Sequence, residues 1–381
     1  MMSSAQVLDT LSGLVRINSV NPVYPQGRPE AEIQEYVLAF FRRHGIPAVQ
    51  QSVAPDRYNV IACLPGRRTG PRIVFEAHSD TAGVEGMTIA PFEAALRNGR
   101  LYGRGACDTK AGLAAMMHAL VDLRHSGCRP PCEVWVVAAV DEEHSYRGVL
   151  KLCENLEASA AVVAEPTDMR LAVASKGCIR WRITVRGKSA HSSKPDLGVN
   201  AIMKMAHVLV ALESEPALLG SSTHPLVGSP TLNVGLIEGG TQINVVPEFC
   251  SIAIDRRVVP GEVPDQVLGA CEQFLERLRA SCSDLDVAME PPMVKDWPLD
   301  TPPDAAIVQC AAKVLEQERL DPRPQGVPFG SDASKFARAR IPAVVLGPGS
   351  IDQAHTVDEY VELDQVEQAF VVYRKLMCAF E

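Results

Sequence analysis

Apolar residues in the first half of the chain follow two alternating rhythms. Val7, Leu8, Leu11, Leu14 and Val15 share one helical face behind Ser3 or Ser4 as a cap. Leu113, Met116, Met117, Leu120 and Val121 repeat that spacing, with Gly127 as a stop. Between such helices lie short uninterrupted apolar runs at Ile73–Phe75, Val134–Val140 and Ala160–Val163, and another follows near the far end at Ala343–Leu346. Runs of that length alternating with helices predict an α/β fold, a mostly parallel sheet covered by helices on both faces.

The rhythm changes near Gly177. Ile179, Trp181, Ile183 and Val185 alternate with Arg180, Arg182, Thr184 and Arg186, the pattern of a sheet with one wet face. A helix is expected around Asn200–Leu212, strands near Leu232–Ile237 and Phe249–Asp255, a second helix over Asp265–Ala280 and a last strand at Leu285–Met289. That order is the split βαβ, ferredoxin-like arrangement of a small α+β domain. Pro291, Pro292, Pro302 and Asp304 mark the return to the first pattern. The expected organisation is therefore a discontinuous main domain, residues 1–176 and 294–381, with residues 177–293 inserted.

The length of 381 residues suits two domains, and 46% hydrophobic with 22% charged residues is ordinary for a globular chain. A formal net charge of −9 argues against a nucleic-acid-binding face while leaving room for a local basic pocket. Met1–Thr10 lacks the basic start and apolar run of a secretory leader, and no apolar stretch is long enough to span a bilayer. The eleven cysteines are odd in number and irregular in spacing, which favours buried reduced thiols over a disulfide framework. Together these observations lead us to expect a cytoplasmic protein.

Ligands of open α/β sheets bind beyond the carboxyl ends of the strands, so the polar residues there carry the information. Arg72–Ala77 runs into His78 and Asp80, Glu133–Val140 into Asp141, Glu142 and Glu143, and Ala160–Ala164 into Glu165. Ala343–Leu346 leads through Gly347-Pro348-Gly349 to His355, and Asp108 sits just before a helix beginning near Lys110. One such residue means little, but many carboxylates at one rim repel unless cations offset them. Imidazole with carboxylate suits zinc, with cobalt or manganese as substitutes. Two histidines and three carboxylates suffice for two ions that share one bridging carboxylate, polarise a carbonyl and acidify a water.

In chain order the motifs are His78-Ser79-Asp80, Gly103-Arg104-Gly105-Ala106-Cys107-Asp108-Thr109-Lys110, Asp141-Glu142-Glu143 and Glu165-Pro166-Thr167. Gly187-Lys188-Ser189-Ala190-His191-Ser192-Ser193, Asn200-Ala201, Asn244-Val245-Val246-Pro247-Glu248, Asp255-Arg256-Arg257, Ser331-Asp332-Ala333 and Ala354-His355-Thr356 follow. The series covers nearly the whole chain and resembles the zinc amidohydrolase and metallopeptidase family of acetylornithine deacetylase, succinyl-diaminopimelate desuccinylase, aminoacylase and glutamate carboxypeptidase. The resemblance implies two Zn(2+) ions, with Asp108 bridging, His78 and Glu165 completing one site, and Glu143 and His355 the other. It implies that Asp80 accepts the free ring N–H of His78, that Asp108–Thr109 is cis, and that Glu142 is the general base toward a metal-bridged water. It further implies that His191 reaches the partner subunit's site to stabilise the tetrahedral oxyanion, in a homodimer formed through the inserted domain, which serves as dimerisation and lid domain. Asn244 and Arg257 resemble the residues that hold the substrate carboxylate, whereas Arg256 reads as a surface charge.

Cys107 and His144 depart from the pattern, the first read as a packed thiol and the second as an exposed loop residue. His44, His118, His125, His207 and His224 lack motif context. The expected reaction is metal-dependent hydrolysis of the amide of a small N-acyl amino acid. A metallo-carboxypeptidase or dipeptidase is the runner-up because it would share every ligand. A catalytically dead relative is disfavoured because Glu142 and all five ligand candidates are present.

Overall fold

The computed structural model describes residues 4–220 and 222–381, so the candidate cap Ser3 lies outside the described residues. The chain divides into two compact units. One comprises Met1–Val173, Asp300–Gly326 and Ser331–Glu381; the other comprises Ala174–Leu299 and Val327–Gly330.

Four parallel strands form the centre of the first unit, in the order Glu133–Ala139, Arg72–His78, Ala160–Val163, Ala343–Val345. Their continuous apolar runs follow from burial on both faces. Ile73, Phe75, Val134, Val136 and Val162 meet the helices Ser4–Arg16, Ala31–Arg43, Ala111–Ser126, Ala306–Gln317 and Leu363–Ala379 in one core. On the opposite face, Ala333–Arg338 packs on the strands Ala160–Val163 and Ala343–Val345, and Arg147–Cys153 packs beside it. Beyond the parallel centre the sheet turns antiparallel, with Arg57–Leu64 beside Glu133–Ala139 and Ala48–Ala54 outside that.

Helix Ala111–Ser126 is more deeply placed than its apolar stripe implies, being buried from Ala111 through Leu123. Its polar residues survive there through partners. His118 Nε2 shares a 2.7 Å hydrogen bond with Thr10 Oγ1, and Arg374 donates to Asp122 Oδ2 at 2.5 Å. Gly127 ends the helix in the left-handed conformation, φ 70°, which only glycine adopts without strain.

In the second unit the strands Gly177–Arg186, Thr231–Gly239, Phe249–Val258 and Asp286–Met289 form an antiparallel sheet. The third strand lies between the first and second, and the fourth flanks the first, which is the ferredoxin-like order. Helices Ala201–Glu213 and Pro264–Ser281 cover one face, where Met205, Val208, Phe274 and Leu275 meet Ile179, Trp181, Ile183 and Val185. Asn200 caps the first of these helices by accepting the N–H of Met203 at 3.1 Å. Arg256 corrects the surface reading: it is fully buried, donates to Leu218 O at 2.7 Å and pairs with Glu262 at 2.6 Å. The alternation on its strand turns that side chain away from water, and an ion pair with backbone acceptors offsets the desolvation.

All eleven cysteines are free thiols. Among the described residues no helix is long and apolar enough to cross a membrane.

Candidate metal centre

Each parallel strand of the first unit ends at one rim, and the rim residues converge. His78 is the last residue of its strand, where it pairs in register with Ala139. The chain after Ala139 supplies Glu142 and Glu143, and that after Val163 supplies Glu165. Gly112, the second residue of the helix Ala111–Ser126, lies so close to Ala164 that an added Cβ would sit 2.4 Å from the alanine Cβ. This contact admits only glycine and seats the start of the helix, with Asp108 before it, beside Glu165. The Asp108–Thr109 bond is cis.

Asp108 stands between the two histidines. Its Oδ1 lies 3.0 Å from His78 Nε2 and its Oδ2 lies 3.4 Å from His355 Nε2. Glu165 Oε1 approaches His78 Nε2 at 4.0 Å, and Glu143 Oε1 lies 3.1 Å from His355 Nε2. Two groups result, His78–Asp108–Glu165 and Asp108–Glu143–His355, each with ligand atoms within 4.8 Å of one another. The five residues read from the sequence as one centre are thus gathered, with one carboxylate common to both groups.

Asp80 differs from its expected contact. His78 Nδ1 lies 2.9 Å from the backbone carbonyl of Asp80, whereas the nearest carboxylate oxygen of Asp80 is 3.8 Å away. A carbonyl only accepts, so Nδ1 carries a ring proton toward it, and Nε2 is the nitrogen that faces Asp108 and Glu165. The Asp80 carboxylate instead accepts the backbone N–H groups of Glu142 and Glu143, both at 3.1 Å, and the Asn21 amide at 2.8 Å. The main chain two residues on satisfies the ring first and leaves the carboxylate to organise the acidic loop. Asp141, first of the three acids, turns away from the centre: fully buried, it meets Arg57 at 2.8 Å, Arg147 at 2.9 Å and Asn21 at 3.1 Å.

The electrostatics call for added positive charge. Burial raises Glu142 and Glu165 well above the ordinary carboxylate range, and neighbouring carboxylates raise them further. Hydrogen bonds that its ring donates to Asp108 and then Glu143 push His355 up to about 11. For His78, burial opposes charging, but the Asp108 hydrogen bond and the acids around it more than offset that. Glu165 Oε1 is buried without a hydrogen-bond partner. An orphaned buried carboxylate oxygen, two imidazoles and a shared aspartate suit a pair of divalent cations, with hard and borderline ligands together.

Further residues surround the centre, some of which, Glu359 and Glu76 among them, the sequence did not single out, while Cys107 and His144 are placed as read. Glu359, four residues past His355 and fully buried, accepts hydrogen bonds from the loop that carries Asp108. Lys110 is buried and donates to Ile17 O at 3.0 Å, and burial lowers it to about 7. Glu76 and Asp332 are buried together, and burial raises Glu76 to about 8. Cys107 is a buried thiol that donates to Ser350 O at 3.3 Å, and His144 is exposed.

His191, Asn244 and Arg257 belong to the second unit. His191 is exposed and pairs in register with Val245, and its Nδ1 accepts the N–H of Ser193 at 3.1 Å. The neighbouring Ser192 N–H donates to the carbonyl of Asn244 at 3.0 Å, which brings these two motifs side by side. Arg257 Nε donates to Asp255 Oδ1 at 2.9 Å and remains partly exposed.

A helix-flanked parallel sheet with an acidic, imidazole-bearing rim and a ferredoxin-like second unit suits a metal-dependent hydrolase of linear amides, a deacylase or a peptidase. Residues 74–379 match the model of Peptidase family M20/M25/M40, and the chain belongs to that family. It is 31% identical over 366 residues to acetylornithine deacetylase of Myxococcus xanthus, covering 93% of each chain. Among solved structures it is similar to an M20 family metallo-carboxypeptidase of Sulfolobus solfataricus, with TM-score 0.82 and 18% identity over 100% of this chain and 99% of that one. A dinuclear metal binding peptidase of Bacillus subtilis gives TM-score 0.70 and 16% identity, covering 98% and 97%. The protein is a metal-dependent amidohydrolase.

Proposed function

We propose that this enzyme removes the acyl group from the nitrogen of a small N-acyl amino acid, using two zinc ions. The observation that carries the reading is the sharing of Asp108 between the two ligand groups, one oxygen toward each histidine. His78 and Glu165 would complete one site, Glu143 and His355 the other, with Asp80 holding the backbone of the acidic loop between them. When bound, the ions would supply Lewis acidity to the scissile carbonyl and lower the pKa of the attacking water.

Glu142 performs the proton work. Its carboxylate takes a proton from water as the oxygen adds to the amide carbon, and returns it to the nitrogen as the C–N bond breaks. Glu142 sits in the acidic loop whose backbone N–H groups the buried Asp80 carboxylate holds, which fixes its carboxylate for both events. The second unit contributes recognition. Arg257 offers a planar fork and Asn244 an amide to the substrate carboxylate, and His191 of the partner subunit donates to the oxyanion.

Dimerisation through the second unit is supported by its surface. The strand Thr231–Gly239 bounds its sheet and exposes Leu236 and Ile237 by 55% and 57%, and helix Ala201–Glu213 exposes Val210 by 71%. Apolar residues on a sheet edge and an adjoining helix favour burial against a second copy. The similarity to a deacetylase at 31% identity favours acyl-amino acids over peptides as substrates, whereas the peptidase likenesses share the fold. The test is a panel of N-acyl amino acids and dipeptides on the zinc-loaded protein, with Glu142→Ala as control. The expected result is preference for acyl-amino acids and, in the variant, retained metal with turnover reduced by roughly 10²- to 10⁴-fold. Preference for dipeptides would overturn the substrate assignment, and near-normal turnover of the variant would reject Glu142 as the base.

A further inference from the structure

Glu359 lies four residues beyond His355 and is fully buried. Its carboxylate accepts the backbone N–H groups of Gly105 at 3.0 Å, Cys107 at 2.9 Å and Asp108 at 3.0 Å, and the Arg104 guanidinium at 2.8 Å. Its own carbonyl accepts the N–H of Gly103 at 3.0 Å. One residue therefore satisfies four of the six backbone N–H groups of Gly103–Asp108, the segment that turns Asp108 into the rim. That segment has no side-chain cap of its own. A buried carboxylate facing a single cation is costly unless every lone pair is used, and here both oxygens are doubly engaged.

Arg104 extends the connection. Besides Glu359, it donates to the Gly83 carbonyl at 2.9 Å and at 3.3 Å to the carbonyl of Thr356, the residue after His355. The pair thus holds the Asp108 segment from one side and the His355 turn from the other, while Asp108 Oδ2 and His355 Nε2 face one another at 3.4 Å. Neither Glu359 nor Arg104 is one of the gathered ligand candidates.

We propose that Glu359, with Arg104, is the positioning residue that sets the separation of Asp108 and His355, and thereby the affinity of the Asp108–Glu143–His355 site. The inference rests on the two-ion reading of the centre. Glu359 acts through backbone amides, so its loss leaves every ligand side chain present but lets two of them move apart. Because His355 serves one group and His78 the other, the effect falls more on one ion than on its neighbour.

The test titrates metal-free protein with Zn(2+) by calorimetry and with Co(2+) by visible absorption. In Glu359→Gln the amide nitrogen meets the Gly105 N–H and Arg104, donors facing donors. The expected result is at least about tenfold weaker binding of one ion, a changed Co(2+) spectrum for that ion, and a smaller change for the other. Arg104→Lys keeps the charge beside Glu359 and removes the link to Thr356, so it is expected to weaken the same ion and serves alone should the glutamine variant fail to fold. Val314→Ala, in the core helix Ala306–Gln317, supplies a comparable loss of thermal stability remote from the centre and is expected to leave both affinities unchanged. Two ions bound at wild-type affinity in Arg104→Lys and in any folded Glu359→Gln would overturn the proposal, as would equal weakening by Val314→Ala. Wild-type protein that binds no pair of ions would instead overturn the two-ion reading itself.

Discussion

Replacing Asp80 by asparagine separates two accounts of what this carboxylate does. Asp80 is fully buried and accepts three hydrogen bonds, from Asn21 at 2.8 Å and from the backbone N–H groups of Glu142 and Glu143 at 3.1 Å each. An asparagine side chain has the same shape but one acceptor oxygen. Whichever way the amide is turned, its NH₂ opposes a peptide N–H from the acidic loop. A hydrogen bond to a charged group contributes about 1.5–3 kcal/mol, and the lost bond loosens the loop that aims Glu142. If about 2 kcal/mol of that must be restored to reach the transition state, kcat falls roughly 30-fold. KM changes little, since Asp80 is not among the residues assigned to the substrate. His78 keeps its tautomer, because its Nδ1 proton goes to the Asp80 main-chain carbonyl, which the substitution leaves in place. The account in which the carboxylate orients the His78 ring demands instead that the ion beside His78 and Glu165 be lost first. Steady-state kinetics with metal analysis of the purified Asp80→Asn protein decides between them. Turnover within about threefold of wild type, or selective loss of the ion at His78, would refute the loop-aiming role.

Two further outcomes concern stability and assembly. Burial, and then the nearby His44, lower His118 from its ordinary 6.5 to about 4, so between those values the unfolded chain binds a proton that the folded chain excludes. Stability should therefore fall with pH below 6.5 and level off near 4, with a His118 contribution of about 2 kcal/mol between pH 7 and pH 5. Denaturation of wild type and His118→Gln at both pH values should show the gap between them changing by that amount, and a constant gap would contradict the assignment. Leu236→Asp, on the exposed strand of the second unit, should shift the protein from dimer to monomer in sedimentation while the first unit keeps its metal; an unchanged sedimentation coefficient would move the interface elsewhere.

What was readable in the sequence, and what was not, divides along physical lines. The parallel strands announced themselves because burial on both faces leaves runs such as Val134–Val140 without polar interruption. The second unit was readable because a sheet with one wet face writes its period into Ile179, Trp181, Ile183 and Val185. His78, Asp108, Glu143, Glu165 and His355 stood out because each follows an apolar strand or precedes a helix, where a charge has no reason to be unless it meets something. Residues whose role depends on which backbone group lies opposite were hidden. Asp80 could be recognised as important, yet its partners are peptide N–H groups more than sixty positions away in the chain. Arg256 and Arg257 are neighbours of one type, and only the facing of their strand buries the first while leaving the second partly exposed. Glu359 lies in an acidic stretch, Asp358-Glu359, that reads as solvated surface.

The hidden residues share a feature that explains why they are needed. A cluster of acids at a sheet rim is self-repelling, so the chain cannot rely on the ligands' own interactions to hold them close. Asp80 fixes the Glu142–Glu143 segment and Glu359 fixes the Asp108 segment, each by offering a buried carboxylate to backbone donors. Glu359 is neutralised by Arg104 and saturated by three peptide N–H groups, Asp80 is saturated by the Asn21 amide and two peptide N–H groups, and the neighbouring Asp141 is paired with Arg57 and Arg147. The acids at the centre have no comparable supply of protein cations: His78 and His355 are the basic groups bonded to Asp108 and Glu143. Arginine is thus given to Glu359 and Asp141, behind the rim, and withheld from Asp108 and Glu143, which face it. That division makes the rim a place for divalent cations, because a lysine or arginine inserted there would satisfy the carboxylates and close the site to metal.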